Sequence, residues 1–298
     1  MARLTQKQKG ILLMILSALL FSSMQIAVRL SGGRIPVMEQ VFFRNSISLI
    51  VAFILIRRNH LSVFGPRKYQ KWLFGRSFFG FLGVITVFYA SNNAAQADVA
   101  ILSKLSPFLV TLFAVIFLKE KLSKVQIPAL LLAFGGAVLV ANPSFNSNLW
   151  PLAMAFISSV TSGVAYTLLS YFKDKVDALT VIMHFSTFSM VASIPFMLAD
   201  FVWPTPFELV CLLAIGLFGS FGQICLTYAY RMAPASEVSV YNYAGIPFSM
   251  VLGFLFLGEG ISPTSLAGGA LVVAASVMVY LYSGRKARTA QIQDKREP

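Results

Sequence analysis

Apolar residues along this chain fall into ten long runs, separated by short stretches that hold most of its Lys, Arg, Asp and Glu. The runs lie near residues 10–30, 38–57, 72–92, 98–118, 125–142, 149–170, 178–199, 208–230, 237–257 and 264–283. Within each run the apolar positions are continuous and do not follow the spacing of one helical face. Crossing about 30 Å of hydrocarbon takes about 20 helical residues, so each run predicts a transmembrane helix, the fifth being the shortest. In lipid only helices and closed barrels satisfy their own backbone. A barrel strand would alternate apolar and polar residues, and these runs do not. The predicted fold class is an all-α integral membrane protein with ten transmembrane helices.

The ten runs are five used twice. Sliding the sequence on itself by 139 residues brings Gly80 onto Gly219, Gly83 onto Gly222, Tyr89 onto Tyr228, Asp98 onto Glu237, Leu118 onto Leu257 and Glu120 onto Glu259. The organisation that follows is an N-terminal tail at 1–9, one five-helix repeat at 10–142, a second at 149–283, and a polar tail at 284–298 expected to be disordered. A block with an odd number of spans sits upside down relative to its duplicate. Inverted repeats of this kind build a site near the bilayer midplane that opens to either side in turn.

Composition agrees: 57% of residues are hydrophobic and 12% charged, and the mean hydropathy is +0.75. The net charge of +13 would suggest nucleic acid if it were spread over a surface. It is not. Nineteen of the 24 Lys and Arg lie in the two tails and the loops 57–71, 119–124, 171–177 and 231–236, all on one side of the predicted topology. The loops on the other side hold only Arg34. This positive-inside bias predicts cytoplasmic termini and contact with anionic lipid headgroups, with no nucleic-acid partner. The first run is too long for a signal peptide and lacks a cleavage site, so it is read as a retained span. Cys211 and Cys225 fall in one span and are read as inert.

Specific segments resemble a known family. The block Tyr89-Ala-Ser-Asn-Asn-Ala-Ala-Gln-Ala-Asp98, then Leu105-Ser-Pro107, then Phe117-Leu-Lys-Glu120-Lys-Leu122, is similar to the pattern of EamA-type members of the drug/metabolite transporter superfamily. The second half repeats it as Tyr228-Ala-Tyr-Arg-Met-Ala-Pro234, Ile246-Pro247 and Phe256-Leu-Gly-Glu259-Gly-Ile261, with the proline displaced by one position. The resemblance runs from about Gly10 to about Tyr282. It implies ten helices, cytoplasmic termini in a plasma or inner membrane, and a central cavity lined mainly by spans 1, 3, 4, 6, 8 and 9. It further implies transport of small metabolites or drugs, often outward.

Ionisable side chains within spans are costly and default to functional candidates. Lys104 lies three residues before Pro107, which removes a backbone hydrogen bond and opens the helix beside a cavity. It is read as a cationic ligand for a carboxylate-bearing substrate; the alternatives are snorkelling to the interface or pairing with Asp98. Thr111 shares its face. Arg76 is read as guarding the inner mouth or anchoring at the interface. Arg44 and His184, at matching places in spans 2 and 7, are read as structural, His184 also as a proton-coupling candidate. Gln25, Tyr89, Tyr166, Gln223, Tyr241 and Asn242 complete the predicted substrate site, and Pro107 and Pro247 the gating elements. The glycine pairs 80/83 and 219/222 are read as close helix contacts. Glu120 and Glu259 are read as bonding to backbone amides at helix ends.

No acidic residue lies deep in any span, which favours anionic or zwitterionic cargo over lipophilic cations. The chain has no H-E-x-x-H or Walker motif. Catalytic residues, metal ligands and cofactors are accordingly not expected, and a membrane-embedded enzyme or an ATP-driven pump is disfavoured. The leading expectation is a secondary transporter, monomeric or homodimeric, with a multidrug exporter as the alternative.

Overall fold

A computed structural model describes residues 5–31, 33–93, 99, 102–141, 148–258, 260 and 262–294, with backbone only for Ser91, Asn92, Val140, Ala141, Ser265 and 283–294. Asp98 and Glu259, and the side chain of Asn92, lie outside the described residues.

The described residues are helical throughout, as α1 (Gln6–Leu30), α2 (Val37–Arg58), α3 (Gln70–Asn93), α4 (Ser106–Leu118), α5 (Gln126–Ala141), α6 (Leu149–Tyr171), α7 (Ala178–Ala199), α8 (Pro206–Met232), α9 (Ala235–Leu257) and α10 (Pro263–Asp294). Helix starts follow local chemistry. Thr5 and Gln8 form a reciprocal capping box that begins α1 four residues before its apolar run. Thr205 and Glu208 form another, with Pro206 at the first helical position of α8. At the other end of the chain α10 continues to Asp294, where the sequence suggested an unstructured tail.

The inversion is visible in the packing. α1 lies along α8 as α6 lies along α3; α2 pairs with α7 and α5 with α10. Equivalent hydrogen bonds recur: Ser17 Oγ donates to Gly222 O at 2.8 Å, and Ser158 Oγ donates to Gly83 O at 2.9 Å. These approaches need glycine. A Cβ on Gly83 would sit 2.9 Å from Ser162 Oγ, and one on Gly136 only 2.6 Å from Gly268 O across the α5–α10 contact. Two bonds join facing spans of the two repeats: Tyr243 Oη donates to the carbonyl of its own repeat mate, Lys104, at 2.7 Å, and Ser186 Oγ donates to Ser48 Oγ at 2.9 Å. The pseudo-twofold axis therefore passes between α4 and α9 and between α2 and α7.

Spans 4 and 9 depart from the continuous helices expected of them. α4 begins only at Ser106, after a turn at Lys104 and Leu105. α9 starts with one α turn, Ala235–Val238, passes through a 3-10 stretch, Ser239–Ala244, and resumes as α-helix over Gly245–Leu257. The two α segments, Ser106–Leu118 and Gly245–Leu257, have 13 residues each and are repeat mates. Both end in a left-handed residue, Lys119 and Gly258. Pro107 thus sits in the first turn of a half-helix, where its missing N–H costs nothing, and does not interrupt a span. The largest apolar cluster, with Ile11, Met14, Val110, Ala114, Tyr230 and Tyr241, fills the half of the bundle that carries both chain ends.

Candidate functional site

A cavity of 200 Å³ lies in the middle of the bundle. Polar side chains reach it from seven helices or the turns leading into them, Gln25, Arg44, Arg76, Lys104, Tyr166, Gln223 and Asn242, and α7 adds the Phe185 ring. Two of the expectations change here. Helices α2 and α7 were expected to be peripheral, yet Arg44 and Phe185 line the cavity. Arg76, read as guarding the inner mouth or anchoring at the interface, lines the cavity and is only 1% exposed. Its position nearly two turns into α3 suggested the inner end of the span; the packing of α7 against α3 encloses it.

The two arginines meet over one ring. Arg76 Cζ lies 4.0 Å and Arg44 Cζ 5.7 Å from the Phe185 centroid. Glycine makes the room. A Cβ on Gly80 would come 2.8 Å from Arg76 Nη1, and one on Gly219 would come 3.2 Å from both Arg44 Cγ and Nε. The repeat-matched pair Gly80/Gly219 therefore seats one arginine each, as well as allowing close contact. Arg44 Nη1 donates to Asn45 Oδ1 at 3.3 Å. Arg44 Nε and Arg76 Nε and Nη1 are buried without a hydrogen-bond acceptor.

Lys104 reaches in from the α4 side. Its Nζ lies 3.4 Å from where a Gly245 Cβ would stand, beside Ser22, whose hydroxyl donates to Gly245 O at 3.0 Å. Ser103 and Ser106, which flank the Lys104 turn, line the cavity with buried hydroxyls that make no hydrogen bond. The start of the α4 half-helix is here, and a helix start carries a partial positive charge. The carbonyl of Lys104 is fixed by Tyr243 Oη. Among the described residues no acid lines the cavity. Elsewhere on its wall Gln223 Nε2 donates to Thr227 Oγ1 at 3.1 Å, and Tyr166 stacks on Tyr230 at 5.8 Å between centroids.

Other sequence candidates lie elsewhere. Thr111 is buried between Pro107 O, at 2.9 Å, and Ser239 Oγ, at 3.1 Å, because its rotation about α4 turns it toward α9. Tyr241 is packed in the apolar cluster on the chain-end side. Tyr89 is exposed, its carbonyl accepting from Asn93 Nδ2. His184 Nδ1 pairs with Ser77 Oγ at 3.1 Å outside the cavity lining, and Pro107 and Pro247 also lie outside it. Ser103, Ser106, Arg44 and Phe185 were missed. Ser103 was recoverable, being the repeat mate of Asn242.

On the chain-end side α9 is tied to the end of α4. The Glu120 carboxylate accepts from the backbone N–H of Ala235 and of Ser236, each at 3.0 Å, and from Ser236 Oγ at 2.7 Å. The expected amide-binding role holds for Glu120, and the amides belong to the other repeat. Lys7 pairs with Glu237 in the same turn.

Comparisons with known proteins agree with this architecture. Residues 8–142 and 149–281 each match the EamA-like transporter family. The pseudopaline exporter CntI of Pseudomonas aeruginosa is 31% identical over 272 residues, spanning 91% of this chain and 95% of that protein. The S-adenosylmethionine uptake transporter of Rickettsia bellii is 24% identical over 289 residues, spanning 95% and 97%. Solute carrier family 35 member G1 of mouse is 25% identical over 283 residues, spanning 90% and 76%. A solved crystal structure with 19% identity has the same fold, with a TM-score of 0.78 over 93% of this chain and 98% of that one. Two matched repeats covering nearly the whole chain identify it as a member of the EamA-like transporter family of the drug/metabolite transporter superfamily, a multi-pass membrane transporter.

Proposed function

We propose that the protein is a secondary carrier that moves small acidic metabolites across the cytoplasmic membrane by alternating access. One observation carries the reading: three basic side chains face a central cavity, and no acid is among the described residues that line it. A single charge near the bilayer centre costs about 2.5–3.5 kcal/mol on insertion scales. Three together would cost roughly 8–10 kcal/mol on that scale, comparable with the ~5–15 kcal/mol stability of a typical domain. Water and cation–π contact with Phe185 offset part of this; an anionic cargo offsets the rest in the loaded state. The dipole of the α4 half-helix acts in the same sense.

Amino-acid-like zwitterions are accommodated less well, since among the described lining residues their ammonium group meets amides, hydroxyls and aromatic rings and no carboxylate. A multidrug pocket is the alternative reading. The cavity, at 200 Å³, is below the ~300–1,000 Å³ usual for drug-sized ligands, which favours a small metabolite. The charge bias of the loops supports cytoplasmic termini, so the described state is closed toward the cytoplasm through Glu120 and Lys7. The named relatives include both an exporter and an uptake transporter. We read net export, after the more similar of the two.

Counterflow in proteoliposomes tests the reading. Vesicles preloaded with unlabelled succinate or a related organic acid should accumulate the labelled compound, with saturation, and Lys104→Ala should abolish the accumulation. Accumulation of lipophilic cations instead, unaffected by Lys104→Ala, would support the drug-exporter reading; flux without exchange stimulation would indicate a channel.

A further inference from the structure

The arginine pair is a second anion subsite. Resting on the reading of the cavity as an acidic-metabolite site, we propose that the cargo carries two acidic groups. One is held by Arg44 and Arg76 over Phe185, the other by Lys104 with the hydroxyls of Ser103 and Ser106.

Four observations converge. First, the two guanidinium carbons lie 4.0 and 5.7 Å from the same ring centre, and both arginines line the same cavity. Second, Nε and Nη1 of Arg76 and Nε of Arg44 have no acceptor, although both residues are more than nine-tenths buried. A buried unpaired guanidinium is costly, and the protein keeps two together, where mutual repulsion adds to the cost. Third, glycine at both repeat-matched positions, 80 and 219, leaves the space the two side chains occupy. The chain thus accommodates the arginines by design at two independent sites. Fourth, this pair enters from α2 and α3, and Lys104 from the turn before α4, so the positive charge is divided between two walls.

A ligand with one acidic group satisfies one wall and leaves the other uncompensated. A diacid satisfies both, which makes spacing between its carboxylates a selectivity filter. A cation or a zwitterion places positive charge where none is tolerated.

The test compares dicarboxylates of increasing length, from malonate to adipate, with the monomethyl ester of each, by thermal stabilisation of the purified full-length wild-type protein. The diacid of best length should bind at least tenfold more tightly than its monoester. In Arg76→Gln and in Arg44→Gln that ratio should fall below about threefold while monoester binding persists, and Arg76→Lys should restore part of it. Equal binding of diacid and monoester by the wild type overturns the second subsite and leaves the single-anion reading standing, a result that does not depend on whether the arginine variants fold. A ratio unchanged in both arginine variants also overturns it. If neither diacid nor monoester binds, the acidic-metabolite reading fails and the subsite fails with it.

Discussion

Replacing Glu120 by Ala should loosen the closed side of the carrier by an amount the geometry sets. The carboxylate ends α4 and accepts from Ala235 N–H, Ser236 N–H and Ser236 Oγ in the first turn of α9. Loss of an ordinary N-cap side chain costs about 0.5–2 kcal/mol. Hydrogen bonds to a charged group are worth about 1.5–3 kcal/mol each, and water entering the gap restores part of that. A net loss of about 2 kcal/mol is expected, borne by the contact between repeats. Since about 1.4 kcal/mol is tenfold in an equilibrium, the open population should rise by roughly thirtyfold. Ser239 reports it, being fully buried against Thr111 in the 3-10 stretch of α9. In a background with Cys211 and Cys225 changed to Ala, Ser239→Cys should react with a membrane-impermeant maleimide roughly thirtyfold faster when Glu120→Ala is added. The reagent is applied on the side that carries the chain ends. An unchanged labelling rate together with an unchanged melting temperature would refute the claim that Glu120 latches α9.

Three further outcomes follow from individual contacts. Gly136→Ala should destabilise by about 1–3 kcal/mol, the usual range for overpacking, because its Cβ meets the backbone oxygen of Gly268 at 2.6 Å; Gly135→Ala, with nothing within 4 Å, should be neutral or slightly stabilising in the same melt. Tyr243→Phe removes the donor to Lys104 O; a net loss of about 1 kcal/mol is expected, with an increase in KM for the anion as the Lys104 turn loosens. Thr111→Val should lower the melting temperature by breaking the pair with Ser239 while leaving KM unchanged, since Thr111 lies outside the cavity lining; a KM shift without destabilisation would return Thr111 to the binding site.

The ten helices and their inversion were legible because lipid imposes length and apolarity on every span, and because a repeat needs only the sequence to be seen. Lys104, Gln25, Tyr166, Gln223 and Asn242 were likewise legible as cavity residues, their polar character being expensive anywhere else. Azimuth was not. Thr111 and Tyr241 are polar residues in spans, like Asn242, but their direction depends on how α4 and α9 turn against one another. The break in α9 was hidden because Ser239–Ala244 is not rich in helix-breaking residues. Arg44 was assigned to structural bonding, and Arg76 to the inner mouth or the interface, from depth alone. Their cavity role depends on Phe185, more than a hundred residues away in sequence, and on two glycines whose value as seats appears only when the side chains are in place. For Glu120 the chemistry was readable and the partner was not, since the amides it holds belong to the other repeat.

The charge of the cargo is the central claim, and ligand-induced stabilisation of the purified protein tests it most directly. A panel of metabolites of similar size, spanning net negative, zwitterionic and net positive, is titrated against the wild type and Lys104→Ala. A ligand binding only the folded state adds about 2.7 kcal/mol at 100 times its dissociation constant, readily seen in a melt. The account predicts stabilisation by net anions, lost or sharply reduced in Lys104→Ala, and none by cations. Stabilisation by cations that survives or grows in Lys104→Ala would contradict it.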